Sequence, residues 1–559
     1  MSLTDWLVLC STLLFIIIYG VYKNRRHKNI KDYLKGGNKS SWWTVGLSVM
    51  ATQASAITFL STPGQAYFEG MGFIQFYFGL PLAMIIICIF FLPIYKKLKV
   101  YTAYEFLENR FNLKTRILTA SLFLIQRGLA AGITIYAPAI ILSVILGWNL
   151  KIMVIVIGLL VIFYTLFGGT QAVNLTQKQQ MFIIFLGMTI AFIFLNKSLP
   201  EEINFSRALD IAGLNGKLNL IDMSIDPKNR YTLWSGLTGG LFLALSYFGT
   251  DQSQVQRYLS GKSLIESQKG LIMNGFLKIP MQFFILLTGV MVFVFFQFEK
   301  SPIHFNPKAV ELIKNSEFKT DFLKLENENI ELHNKKLNFL KKENFFQNDI
   351  LKKEYLLLQE EEIQNRIKAK ALINKASPSV ESNDKDYVFI FYILKYLPTG
   401  LIGLLIAVIL SAAMSSTASE LNALATTSLI DFYKRGYPNL SEKHYVNIAK
   451  GFVLFWGLIA ILFAAVGNLF ENLIEYVNII GSIFYGTVLG VFLTAFFIKY
   501  VNGKAIFIGA ILSQIIVISI YYIDIIGYLW LNLIGATITI IFSTILELLF
   551  SINHVNSRN

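Results

Sequence analysis

Ser48 to Gly70 reads SVMATQASAITFLSTPGQAYFEG. It packs Thr52, Gln53, Ser55, Thr58, Ser61 and Thr62 among small residues and reaches Pro63 and Gly64 before its end. Hydroxyls and backbone carbonyls are hard oxygen ligands, which suit a cation such as sodium. Backbone that unwinds at membrane depth is tolerated only beside a cavity, where its released carbonyls can face an ion. Small and hydroxyl residues also mark ordinary helix–helix contacts, so composition leaves both readings open. Leu410 to Arg435 repeats the character, with Ser411, Ser415, Ser416, Ser419, Asn422, Thr426 and Thr427 at helical spacing. Asp251 and Arg257 fall near the end of another apolar run, where they either gate a pathway or snorkel into headgroups. Arg127 and Lys278 lie deeper, each at a cost of roughly 2.5–3.5 kcal/mol on insertion scales. A partner charge, a water-filled cavity or an anionic substrate would offset that cost.

The elements that position these groups are membrane helices. The chain has 559 residues, 54% hydrophobic and 15% charged, where soluble proteins carry about 25% charge. Its mean hydropathy is +0.55. Apolar runs long enough for a bilayer occur at 4–22, 42–68, 72–95, 117–147, 152–168, 179–196, 233–256, 271–298, 397–430, 447–467, 473–498, 505–523 and 526–550. They define about thirteen spans, numbered here in that order. The first has no basic segment ahead of it and no Ala-x-Ala-like cleavage site, so it reads as a retained helix.

Charge sets direction. Lys23, Arg25, Arg26, Lys28, Lys31, Lys35 and Lys39 follow the first span against Asp32, and Lys96, Lys97, Lys99, Arg110, Lys114 and Arg116 follow the third against Glu105 and Glu108. Residues 196–232 balance five basic against five acidic side chains, and the 466–476 turn carries Glu471 and Glu475. The positive-inside rule places the N-terminus outside and, after thirteen crossings, the C-terminus in the cytoplasm. Residues 299–388 differ in kind, with sixteen basic and sixteen acidic residues. Clustered Leu323, Ile330, Leu337 and Leu340 predict a helical hairpin, placed outside by parity.

The chain therefore divides into an N-terminal helix with a basic loop (1–41), a first core part (42–298), the extracytoplasmic insertion (299–388), a second core part (389–500) and two C-terminal helices with a short tail (501–559). Cys10 and Cys88 both lie in apolar runs, which excludes a disulfide framework, and the five histidines are scattered. No nucleophile–base pair, zinc motif or phosphate loop is present, so an enzyme is not expected. The net charge of +14 reflects cytoplasmic loops rather than nucleic-acid binding.

Several motifs resemble the sodium:solute symporter family. They are Tyr33-Leu34-x-Gly36-Gly37, the Ser48–Gly70 stretch, Phe167-Gly168-Gly169-Thr170-Gln171-Ala172-Val173, Gly249-Thr250-Asp251-Gln252 with Val255-Gln256-Arg257, and Ser411-Ala412-Ala413-Met414-Ser415-Ser416. The resemblance implies an all-α membrane protein with a LeuT-type inverted-repeat bundle, spans two to eleven forming the ten-helix core. It implies sodium as the coupling ion, held by the carbonyls of Ala51, Ala54 and Ala412 and the hydroxyls of Ser415 and Ser416, with no organic cofactor. Substrate positions carried over from the sugar-transporting branch are Gln53, Ile57, Thr58, Ala244 and Lys278, with Tyr247 as the aromatic inner gate beside Asp251 and Arg257.

Two departures shape the expectation. Thr176-Gln177 stands where the family usually has Thr-Asp, and Ala418 replaces one ninth-span hydroxyl while Ser415 and Ser419 remain. Losing the charged ligand of a second site implies one coupled sodium rather than two. Ile57 and Ala244 replace a carboxylate and an amide, against a galactose-like substrate, and Arg127 gains weight as a carboxylate partner. The expected function is sodium-coupled import of a small polar organic solute by alternating access, in the plasma (inner) membrane. A sodium-permeable channel or a transporter-like sensor is the alternative, the first needing a filter or charged ring and the second a signalling partner. The solute and the oligomeric state are not legible.

Overall fold

The computed structural model describes residues 1–23, 30–342, 344–377, 382–466 and 472–556. Arg25, Arg26, Lys28 and Glu471 lie outside the described residues, as do the side chains of Lys23, Lys31, Asp32, Lys35 and the Phe167–Ala172 motif. The described chain is helical; its one β-type pairing is an isolated bridge between Ser40 and Gly261.

Nine stretches among the described residues are long and apolar enough to cross a membrane, joined by two shorter apolar helices, Leu3–Ile16 and Leu150–Leu166. The 43-residue stretch Ala56–Leu98 holds the second part of a pass begun at Trp42 and the whole of the next. The Gly70–Tyr77 3-10 segment separates them. The spans then follow the apolar runs closely, for example Leu113–Leu146, Leu264–Phe298, Leu401–Thr427 and Leu473–Phe497. Helical backbone runs from Leu150 to Lys197, yet the Tyr164 and Thr176 hydroxyls hydrogen-bond at 2.6 Å. Twelve residues of straight helix would separate them by about 18 Å. The chain must reverse between them, which yields the fifth and sixth spans.

Two spans are interrupted at their middles. The second consists of Trp42–Gln53 and Ala56–Glu69, with Ala54 and Ser55 non-helical between them. The seventh consists of Leu233–Leu237, Gly239–Gly249 and Gln252–Leu259, broken at Thr250 and Asp251. Each is the first helix of a five-span half, spans 2–6 and 7–11, as an inverted repeat requires. The ninth span packs against both halves of the second and against the fourth.

Contacts at the ends fix which termini share a side. The Asp5 carboxylate accepts from the Gly400 and Gly403 amides at 2.6 and 3.2 Å, tying the start of the first span to the start of the ninth. Gly403 is needed there, since a Cβ would stand 2.1 Å from the Asp5 carbonyl. The 299–388 segment forms helices Pro307–Lys314, Lys319–Leu340 and Asp349–Ala376. The last two run antiparallel: Lys336 meets Gln359 (2.7 Å) and Glu362, while Glu328 meets Asn365 (3.5 Å). Lys336 also donates to Gln297 at 3.0 Å, seating the hairpin on the eighth span. Buried Asp384 anchors its exit, accepting from the Phe305 amide at 2.9 Å and pairing with Lys370 at 2.7 Å. Burial raises its carboxyl, but His304, Lys370 and Arg366 outweigh that and hold it at about 2.

Candidate functional site

The break in the second span frees oxygens in a defined way. In an uninterrupted helix the Ser55 amide would bond to the Ala51 carbonyl and the Thr58 amide to that of Ala54. Here Ser55 donates to Gln53 and Thr58 to Ser55, each at 3.0 Å. The Ala51 and Ala54 carbonyls are thereby left without those amides, inside residues that are fully buried. On the ninth span, Ser416 donates to the Ala412 and Ala413 carbonyls at 3.0 and 3.2 Å, which leaves its lone pairs available. The Ser415 hydroxyl is buried with no hydrogen-bond partner among the described residues. The two spans meet here, since Thr52 donates to Ser419 at 3.2 Å.

The neighbouring corner is already filled. Gln177 donates to Thr52 and Ser419 at 3.2 and 3.0 Å and accepts from Ser48 at 2.5 Å. Its amide nitrogen points at both hydroxyls, a donor where a cation would need an acceptor.

Beside the break lies a narrow cavity of about 70 Å³, below the roughly 300 Å³ at which small-molecule sites begin. Gln53, Ile57, Thr58, Arg127 and Tyr247 line it. Ala244 and Lys278 do not: Ala244 is buried beneath the wall, and the Lys278 ammonium stands 5.5 Å from the Tyr77 ring centre. Arg127, the candidate partner for a substrate carboxylate, lies at the wall and is already engaged there. It pairs with Asp251 and, at 3.0 Å, with Glu420, while Tyr485 also contacts it at 2.5 Å. Burying a guanidinium is costly unless it is paired and hydrogen-bonded, and two carboxylates from distant spans supply this.

Asp251 and Arg257 do not snorkel. They are 2% and 0% exposed, because the second interruption brings them into the bundle. Asp251 caps Gln252–Leu259 by accepting from the Ser253 amide at 2.9 Å. Arg257 turns elsewhere, to Asn174 at 2.9 Å and Gln256 at 3.2 Å, with no ion pair among the described residues. Tyr247 accepts from Gln254 at 2.7 Å, and its ring lies 6.0 Å from that of Tyr485. Sequence reasoning missed Glu420, Tyr485 and the interruption at Thr250. A carboxylate inside the most deeply buried span was signal enough for Glu420.

The sodium:solute symporter family matches residues 33–318 and 367–513, most of the chain. The chain belongs to the sodium:solute symporter family. This symporter is 28% identical over 508 residues to sodium-coupled monocarboxylate transporter 1 of Xenopus laevis, spanning 90% of the chain and 70% of the relative. It is 27% identical to the sodium/glucose cotransporter of Vibrio parahaemolyticus, over 92% of the chain and 84% of the relative. Its fold matches that of a Na+-coupled sialic acid symporter solved in a substrate-bound outward-open state. The TM-score is 0.74 with 24% identity, covering 98% of both chains. The LeuT-type architecture is thereby established, and the family is one of transporters.

Proposed function

We propose that this symporter imports a small polar organic solute with one sodium ion per cycle, by alternating access. The ion is held by the carbonyls of Ala51, Ala54 and Ala412 and the hydroxyls of Ser415 and Ser416. The observation that carries this reading is the amide register at Ala54 and Ser55, which releases two carbonyls where the second span meets the ninth. Five neutral oxygens suit sodium and require no carboxylate. Gln177, occupied with Thr52 and Ser419, supports a single ion.

Sodium bridging the two spans stabilises one arrangement of the halves and raises solute affinity. The coupling is reciprocal and typically worth about 1–3 kcal/mol. The membrane potential adds about 2.3 kcal/mol per charge per 100 mV to inward sodium movement. The solute occupies the cavity among Gln53, Ile57, Thr58 and Tyr247, and Tyr247 with Asp251 closes its inner side. The protein sits in the plasma membrane with its N-terminus outside and its C-terminus in the cytoplasm. Uptake by proteoliposomes across a panel of sugars, monocarboxylates, amino acids and vitamins tests the reading. An inward sodium gradient drives accumulation of at least one solute; sodium flux that needs no solute overturns it.

A further inference from the structure

The cavity wall holds more unpaired acceptors than donors. Among its described residues, three buried oxygens, Gln53 Oε1, Gln126 Oε1 and Glu420 Oε2, receive no hydrogen bond from the protein. One buried donor is in the same state, Arg127 Nε. Unmet acceptors at a binding site call for a ligand with several N–H or O–H protons. One of the three oxygens belongs to a carboxyl group, and this favours an amine over a hydroxyl.

Glu420 is 5% exposed; Arg127 engages its Oε1 at 3.0 Å and the Thr134 hydroxyl stands beside the carboxyl group, while Oε2 has no well-formed hydrogen bond. Arg127 in turn spends its remaining terminal nitrogen on Asp251 and Tyr485. One guanidinium thus serves two buried carboxyl groups, and a second positive group would balance the cluster. Among the described residues Lys278 pairs with neither carboxylate; its ammonium stands behind the ring of Tyr77, a wall residue. A solute whose only charge is a carboxylate would draw Arg127 away from Asp251 or Glu420 and leave a buried carboxylate unpaired, whereas the ammonium of an amino acid would take Arg127's place there. A cation breaks nothing. Phe76, Tyr77, Tyr247 and Tyr485 line the same cavity and offer ring faces, to which a positive nitrogen is attracted.

We infer that the transported solute carries a protonated amine, and that Glu420 Oε2 receives its charge while Gln53 and Gln126 accept its remaining protons. This rests on the symport reading above and narrows its substrate class.

The test uses isosteric pairs that differ only in ammonium versus hydroxyl on carbon 2: alanine and lactate, valine and 2-hydroxyisovalerate, phenylalanine and phenyllactate. Binding to the full-length symporter in nanodiscs is measured in sodium, together with sodium-driven uptake by proteoliposomes. In at least one pair the amino acid binds at least about tenfold more tightly than its hydroxy partner, as expected where a buried group loses its partner. Glu420→Gln removes that preference while keeping the thermal stabilisation given by sodium alone. The inference is overturned if no amino acid binds, if the hydroxy acids bind as well or better, or if Glu420→Gln retains the preference. Should that variant fail to fold, the wild-type preference decides alone. Sodium-driven uptake of a hydroxy acid alone would sink the inference and leave symport standing. Amine uptake indifferent to sodium would do the reverse.

Discussion

Arg127 lines the cavity and also ties three spans together. It joins the fourth span to the seventh through Asp251 and to the ninth through Glu420. Arg127→Met leaves two buried carboxylates unpaired and lowers stability by about 3–5 kcal/mol, read as a fall in thermal unfolding temperature. A variant as stable as wild type would show that the pairs are not formed in the membrane. Gln177 carries the opposite kind of information. Gln177→Asp replaces the amide donor by a carboxylate facing Thr52 and Ser419, and the Hill slope of sodium activation rises from about 1 toward 2. An unchanged slope would remove the argument that this residue limits the stoichiometry. These roles were invisible in the sequence because Arg127, Asp251 and Glu420 are separated by 124 and 293 residues. No local spacing announces such pairs.

The interrupted helices differ in how plainly the sequence marked them. The second span declared itself through hydroxyls and small residues crowded ahead of Pro63 and Gly64. The break itself falls earlier, at Ala54 and Ser55, because the two flanking amides turn to Gln53 and Ser55. The seventh span gave only Gly249 and an Asp placed to cap Gln252, a signal easily mistaken for a helix end. The spans themselves were legible from hydropathy alone, down to the reversal between the fifth and sixth. The insertion was legible as a hairpin, but not its seat on Gln297 or its anchor at Asp384. That anchor titrates. Its folded value of about 2 lies below the ordinary 3.8, so it stabilises above pH 4 and is lost as pH falls from 4 through 2. The shift corresponds to about 2 kcal/mol, from 3.8 to about 2. Asp384→Asn therefore speeds tryptic nicking of the hairpin at neutral pH, whereas unchanged cleavage would mean the anchor holds nothing.

At the scale of the molecule, the N-terminus shares a side with the start of the ninth span through Asp5 and Gly400. Ile30 and Glu442, which meet at 3.0 Å, mark the other. With the insertion outside, an impermeant maleimide labels Lys341→Cys in intact cells and leaves Asn439→Cys unlabelled, in a background lacking Cys10 and Cys88. The reverse pattern would invert the topology and, with it, the direction of transport. The account as a whole stands on one ion bridging two spans. The most direct measurement is titration of sodium into the purified protein, wild type against the Ser415→Ala, Ser416→Ala double variant, with potassium as control. The account predicts one saturable sodium site in wild type, none in the folded variant, and no response to potassium. A variant that binds sodium as wild type does would contradict it.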